Sequence, residues 1–408
     1  MLVDRRLKTS LVMAKGLAVI TMIVSHSMLA MASVYQRAFD DEMGAIAFIV
    51  ASYTLSLPIL AGLVYRIESD DDTLNGRIVS VHWRQLLTIG CVLFCANGLR
   101  TFGSFFKLSM FFYWDVLCTV ALSFLLLTTL AQFSRVWLVL VALGAVVAAP
   151  LAKVFLTPLM AVRLGPHAPL WLALLYGTLI CALILFPVWS DGRMPRKFLV
   201  GLGVVLLPLC VWRLHVELAT STLLQRGLAN LPLSLWSHVP HWPFLYWFPS
   251  VAFGYLFGDF ILRYRSEVVM RNMHIVAVVL VLLCWGEGVR DFSSKLDVIT
   301  KHSAKIYQVS APTLALICSF FMVHFLAVWK VAPLVRLRAK GVMAVFSFAI
   351  LPIYVFHMVM VYWGAQLLHA LGVGQREGLL LLMVLTALAS YGVGVYFQRA
   401  VPARQGWA

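Results

Sequence analysis

Apolar residues run through this chain in blocks of about twenty, separated by short stretches rich in charge, proline, glycine or aromatic residues. A helix of that length crosses a hydrocarbon layer of about 30 Å. The blocks fall near 11–33, 45–65, 85–99, 109–131, 135–157, 169–189, 198–216, 243–262, 272–290, 309–329, 342–369 and 378–398. The third is short, and the eleventh is long enough to tilt or to contain a break. The pattern predicts an all-α, polytopic transmembrane helical bundle of about 10–12 spans, forming a single integral-membrane domain over residues 1–408. No internal repeat divides the chain.

Composition supports this class. Of the 408 residues, 62% are hydrophobic and only 12% charged, and the mean hydropathy is +0.91. Soluble domains carry about twice that share of charge. The formal charge of +15 would suggest nucleic acid in a soluble protein. Here the basic residues are scattered between spans, which argues for positive loops on one membrane face and against a nucleic-acid partner. With the N-terminus inside, eleven Lys and Arg of the first half and nine of the second, twenty of 32, fall at inner ends and loops. That bias predicts both termini in the cytoplasm. The acidic segment Glu68–Asp72 then lies in an inner loop. Arg5, Arg6 and Lys8 ahead of an apolar stretch, with Ala30-Met31-Ala32 after it, imitate a signal peptide, but the expectation is an uncleaved first span.

All seven cysteines sit in apolar blocks and read as small buried hydrophobes, with no disulfide framework and no metal site. Leu57–Gly62, which contains Pro58, and the pair Gly254 and Gly258 have the small-residue character of close helix contacts.

The chemistry is sparse and therefore conspicuous. Lys15 and His26 are eleven positions apart in the first block, so on a helix they share a face about 16 Å apart along the axis. Asp115 follows Tyr113-Trp114 just inside the fourth block, and His357 lies within the eleventh. By helical rise, His26, Asp115 and His357 fall at similar depths in the outer half of the membrane. Ionisable groups at that depth default to a functional hypothesis. Arg84, in His82-Trp83-Arg84, is either a headgroup anchor or an anion ligand. His324 reads as a satisfied core histidine, and the aromatic residues of 217–242 as an interface belt.

Lys15-(ten residues)-His26 resembles the Arg-(ten residues)-His signature of acyltransferase-3-type membrane acyltransferases. Leu57–Gly62, Tyr113–Leu117, Pro243–Gly258, Ser310–Thr313 and Leu351–His357 are similar, in the same order, to the related heparan-alpha-glucosaminide N-acetyltransferase-like branch. The resemblance implies an enzyme of the bacterial inner membrane that takes an acyl group, typically acetyl, from cytoplasmic acetyl-CoA or another acyl-CoA. It would pass that group to a hydroxyl of a cell-envelope or secreted carbohydrate, with polysaccharide-synthesis machinery as a partner. His26 matches the family's essential histidine, while Lys15 stands where the family has arginine and lacks its planar fork. Asp115 would orient the imidazole, His357 would hold the acceptor or polarise the thioester, and Lys15 and Arg84 would hold CoA phosphates. Two other classes stay open. One is a transporter or flippase for a lipid-linked sugar or anion that uses the same His and Asp as a proton relay. The other is a non-catalytic membrane partner of a polysaccharide synthase.

Overall fold

The computed structural model describes residues 5–35, 50, 53–74, 116–160, 167, 169–175, 177–178, 196–220, 244–264, 266–299 and 310–400. Almost all of these lie in helices and none lies in a strand. The long helices are α1 (Arg5–Tyr35), α2 (Leu57–Leu74), α3 (Val116–Phe133), α4 (Arg135–Met160), α5 (Arg196–Thr220) and α6 (Phe244–Arg263). They continue with α7 (Ser266–Ile299), α8 (Ala311–Val331), α9 (Leu337–Phe348), α10 (Ile350–Ala370) and α11 (Gln375–Ala400). Among the described residues six helices are long and apolar enough to cross a membrane, or seven if α9 and α10 count as one broken span. The protein is therefore an all-α polytopic membrane protein.

The helix α1 is the axis of the bundle. It packs against three apolar clusters along its length. Leu7, Leu11, Ala14 and Ala18 enter a cluster shared with α2, α6, α7 and α8. Val19, Met22 and Ile23 pack with Phe346, Ile353 and Tyr354. Met28, Ala30 and Met31 pack with Val361, Ala365, Leu379 and Leu382. Its buried serines close onto their own helix: Ser10 donates to the Arg6 carbonyl and Ser27 to that of Ile23, each at 2.8 Å. No polar group of α1 then needs a lipid-side partner at these positions. By contrast α4, α5 and α7 turn apolar side chains outward, among them Leu143, Val147, Val204, Trp212, Leu282 and Leu283. In a membrane protein such faces belong to lipid.

Glycine sets the closest helix contact. A Cβ added to Gly62 would overlap the Val251 carbonyl oxygen, and one on Gly254 would overlap that of Ile59. Gly258 would meet the Leu63 carbonyl oxygen at 3.1 Å. The two glycine-bearing stretches expected to mediate contacts thus face each other across α2 and α6. This brings the two backbones together, so dispersion between main chains replaces side-chain packing.

The long eleventh block does contain a break. The helices α9 and α10 meet at 81° across Ala349, whose backbone leaves the helical region (φ −106°, ψ 36°). Pro352 falls in the first turn of α10, where its missing N–H removes no helical hydrogen bond. At the far end of α10 the chain turns through Gly372 at φ +70°. The Val373 N–H donates to the Leu368 carbonyl at 3.0 Å and the Gly372 N–H to that of His369 at 2.9 Å. This is a Schellman closure, and the left-handed residue is the one a glycine fills at least cost. The Tyr35 hydroxyl at the end of α1 donates to the Val373 carbonyl, so the turn is tied to the axis.

One expectation changes and one holds. The acidic stretch Glu68–Asp72 is not a loop, because α2 continues to Leu74. Ser310-Ala311-Pro312-Thr313 is the start of α8: Ser310 accepts from the Thr313 N–H at 3.4 Å and proline occupies the first turn. Its residues are accounted for by helix initiation. Blocks 11–33, 135–157, 198–216, 243–262, 309–329 and 378–398 coincide with helices to within a few residues. The block near 85–99 lies outside the described residues.

The α2–α6 contact gives a direct stability test. Gly62→Ala or Gly254→Ala forces the two backbones apart and should cost on the order of 1–3 kcal/mol. Gly286→Ala, where nothing lies within 4 Å, should be neutral or slightly stabilising. Thermal unfolding of the detergent-solubilised protein reads the difference.

Candidate active site

Two of the sequence-nominated residues meet. His26 Nδ1 lies 2.8 Å from His357 Nε2, although the residues are 331 positions apart. The ring planes differ by 16° and the centroids are 5.1 Å apart. That separation is the N···N distance plus roughly one ring radius on each side, so the imidazoles meet edge to edge instead of stacking. Both histidines sit within long helices. His26 sits two-thirds of the way along α1, and His357 lies two turns beyond the break that starts α10.

The second nitrogen of His357 fixes the direction of the hydrogen bonds. His357 Nδ1 is 3.1 Å from the Ile353 carbonyl oxygen, one turn back in α10. A carbonyl oxygen only accepts, so in the neutral ring Nδ1 carries the hydrogen and Nε2 carries the lone pair. His26 Nδ1–H therefore donates to His357 Nε2. In the neutral His26 ring the remaining lone pair is then at Nε2. His357 is fully buried, whereas His26 is only partly so. The outcome is a fixed order, from the Ile353 carbonyl through His357 to His26, that sets Nε2 as the basic nitrogen of the more accessible ring. Protonation at Nε2 leaves the Nδ1–H···N bond intact and strengthens it, because a charged donor bonds more strongly.

Tyr354 closes one side of the pair. Its ring stands edge-on to both imidazoles, with centroids 6.4 Å from His26 and 5.4 Å from His357. Val116 packs against the same Val19–Ile23–Tyr354 cluster. Thr386 and Ser390 of α11 are fully buried and their hydroxyls have no hydrogen-bond partner among the described residues. A Cβ on Gly364 would touch Leu382, and one on Gly394 would touch Ile353, so α10 and α11 run antiparallel. That register sets Ser390 opposite the level of His357. Unsatisfied buried hydroxyls cost about 1–3 kcal/mol each, so this level is polar where packing alone would favour carbon.

The other nominated residues divide. Lys15 forms an ion pair with Glu68 at 3.3 Å, beside a hollow lined by Leu11, Val12, Val64 and Ile67. It lies about 16 Å from His26 along α1, on the same face, as the spacing predicts. Asp115 and Arg84 lie outside the described residues. His324 is partly buried, its ring edge-on to Tyr53 at 4.9 Å. Cys210 and Cys318 are buried, as expected. No cluster of metal-ligating side chains occurs among the described residues.

Sequence reasoning missed Asp259. This buried carboxylate near the end of α6 gathers Arg66, Arg135 and Arg263. An acid inside an apolar block, four positions before an arginine, was the available signal.

Comparison with protein-family models, with curated proteins and with solved structures finds no match. The functional argument therefore rests on the site.

The order of the histidine chain is open to chemical test. Diethyl pyrocarbonate attacks a neutral imidazole lone pair that it can reach. Peptide mass spectrometry should place the adduct on His26 and leave His357 unmodified. Modification of His357 in the folded protein would contradict the assigned direction.

Proposed function

We propose that this chain is a membrane-embedded acyltransferase. It moves an acyl group, acetyl in the simplest case, from acyl-CoA to a hydroxyl of a cell-envelope or secreted carbohydrate. The observation that carries this reading is the His26–His357 hydrogen bond, which leaves an oriented basic lone pair at His26 Nε2.

Acyl transfer to a hydroxyl needs one group to remove the hydroxyl proton as its oxygen attacks the thioester carbonyl. His26 Nε2 takes that proton. The C–O bond forms, the tetrahedral intermediate collapses, the C–S bond breaks, and the proton passes from His26 to the departing thiolate. In the other course the same nitrogen attacks the thioester first, the C–S bond breaks and CoA thiolate leaves; the hydroxyl then attacks the acyl-histidine, the C–N bond breaks, and the hydroxyl proton returns to Nε2 and on to the thiolate. In either course His357 holds the imidazole in one tautomer and accepts from the imidazolium, the task a carboxylate performs in hydrolase triads. Here the partner is neutral, so no net negative charge is buried.

Charge distribution supports donor entry from one end. Arg6 and Lys8 at the start of α1, Lys330 at the end of α8, and Arg336, Arg338 and Lys340 around the start of α9 share the end of the bundle that holds Lys15. Positive residues concentrate on cytoplasmic faces, so this end faces the cytoplasm in the proposed orientation, with both termini inside and an inner bacterial membrane as the location. A CoA whose phosphates rest among these cations, with Lys15 released from Glu68, presents its thioester along α1 toward His26. The acceptor carbohydrate approaches from the opposite side.

A second reading draws on the α9–α10 break. Transporters place discontinuous helices at their binding sites, and an 81° break lies two turns from His357. In that reading the histidine pair relays protons that drive movement of a lipid-linked sugar or an anion.

Transfer from radiolabelled acetyl-CoA by purified protein, supplied with envelope carbohydrate, separates the readings. His26→Ala should lower transfer by about 10²–10⁴-fold. His357→Leu should lower it substantially, and His357→Gln, whose amide oxygen can accept from His26, should recover part of the loss. Transfer unchanged in His26→Ala would overturn the enzyme. Proton-driven uptake into proteoliposomes without CoA release would establish the transporter.

A further inference from the structure

Asp259 is only 5% exposed, yet it contacts three guanidinium groups. Arg66 approaches Oδ1 at 3.0–3.1 Å, and Arg135 spans both oxygens at 2.7 and 2.9 Å. Arg263 reaches Oδ2 at 3.3 Å. One carboxylate balances one cation, and Arg66, 17% exposed, is the most enclosed of the three. Arg135 and Arg263 are 44% and 50% exposed, and each has five N–H donors. Asp259 has about four lone-pair sites, already filled by five N···O contacts. Two half-exposed guanidiniums therefore share a surface with charge and donors in excess of what Asp259 can take.

The surroundings identify the kind of anion. Arg135 opens α4, and Val136, Trp137 and Leu140 behind it are exposed. Arg263 closes α6, flanked by Phe260 and Tyr264, which are exposed and in ring contact at 4.5 Å. Aromatic rings beside cations at the ends of apolar helices are characteristic of the headgroup layer of a bilayer. A soluble anion would use only the arginines. A phospholipid would use the arginines for its phosphate and the exposed apolar flank for its chains.

We propose that Arg135 and Arg263, held apart and oriented by Asp259, form a binding site for the phosphodiester of an anionic phospholipid. Arginine suits this role because its planar fork bonds two phosphate oxygens at once. The site is independent of the histidine pair, so it stands or falls separately from the proposed reaction.

Native mass spectrometry of the full-length protein, titrated with phosphatidylglycerol or phosphatidylcholine of identical chains, tests it. Wild type should retain phosphatidylglycerol in preference. Arg135→Gln and Arg263→Gln each leave Asp259 two guanidiniums, so the fold should persist, and each should weaken phosphatidylglycerol retention by about fivefold. Phosphatidylcholine retention should not change, and Arg376→Gln at the opposite end should have no effect. Equal retention of both lipids by wild type, which needs no variant to measure, would overturn the proposal. So would a headgroup preference that survives both substitutions. Displacement of the lipid by glycerol 3-phosphate at comparable concentration would assign the site to a soluble phosphate and also overturn it.

Discussion

A single hydrogen bond between two imidazoles organises this protein's chemistry. Inside a bilayer an isolated histidine is costly unless its nitrogens are occupied. The solution here is serial. The Ile353 carbonyl, left available one turn below by ordinary helix geometry, accepts from His357, and His357 in turn accepts from His26. Each ring fixes the tautomer of the next. No charge is needed, and the order of the chain sets the His26 lone pair at Nε2.

The fold can be understood as what this contact demands. The two histidines must be held within hydrogen-bond reach from helices at opposite ends of the sequence. The helix α1 is locked by apolar packing along its whole length, and at its end Tyr35 is tied to the α10–α11 turn. The break at Ala349 starts α10 afresh, so the direction of α10 is independent of α9. Elsewhere the bundle uses other physics: backbone contact through Gly62 and Gly254 between α2 and α6, and an ion cluster at Asp259 joining α2, α4 and α6.

Much of this was legible in the residues. Block length and apolar content placed most helices within a few positions, because membrane spans must satisfy their backbone internally and this leaves only helices for an all-apolar block. Depth along each helix set His26 and His357 at one level, since a fixed rise per residue converts position into distance. Their direct contact was not legible: it depends on which faces of α1 and α10 meet, and an evenly apolar helix carries no moment to reveal that. The same reason hid Thr386 and Ser390. Glu68 lies beyond the apolar block but not in a loop, because α2 extends past its apolar part and there brings Glu68 to Lys15. The Asp259 cluster is not legible in the sequence, because its three partners are scattered along the chain and an arginine at a span end fits an interfacial role equally well.

The central claim is the hydrogen bond itself, and one measurement reaches it without assuming any substrate. In protein carrying ¹⁵N-histidine, NMR should resolve a through-hydrogen-bond ¹⁵N–¹⁵N coupling between His26 Nδ1 and His357 Nε2, with the donor hydrogen on His26. No such coupling, with each ring exchanging freely between its tautomers, would contradict the account.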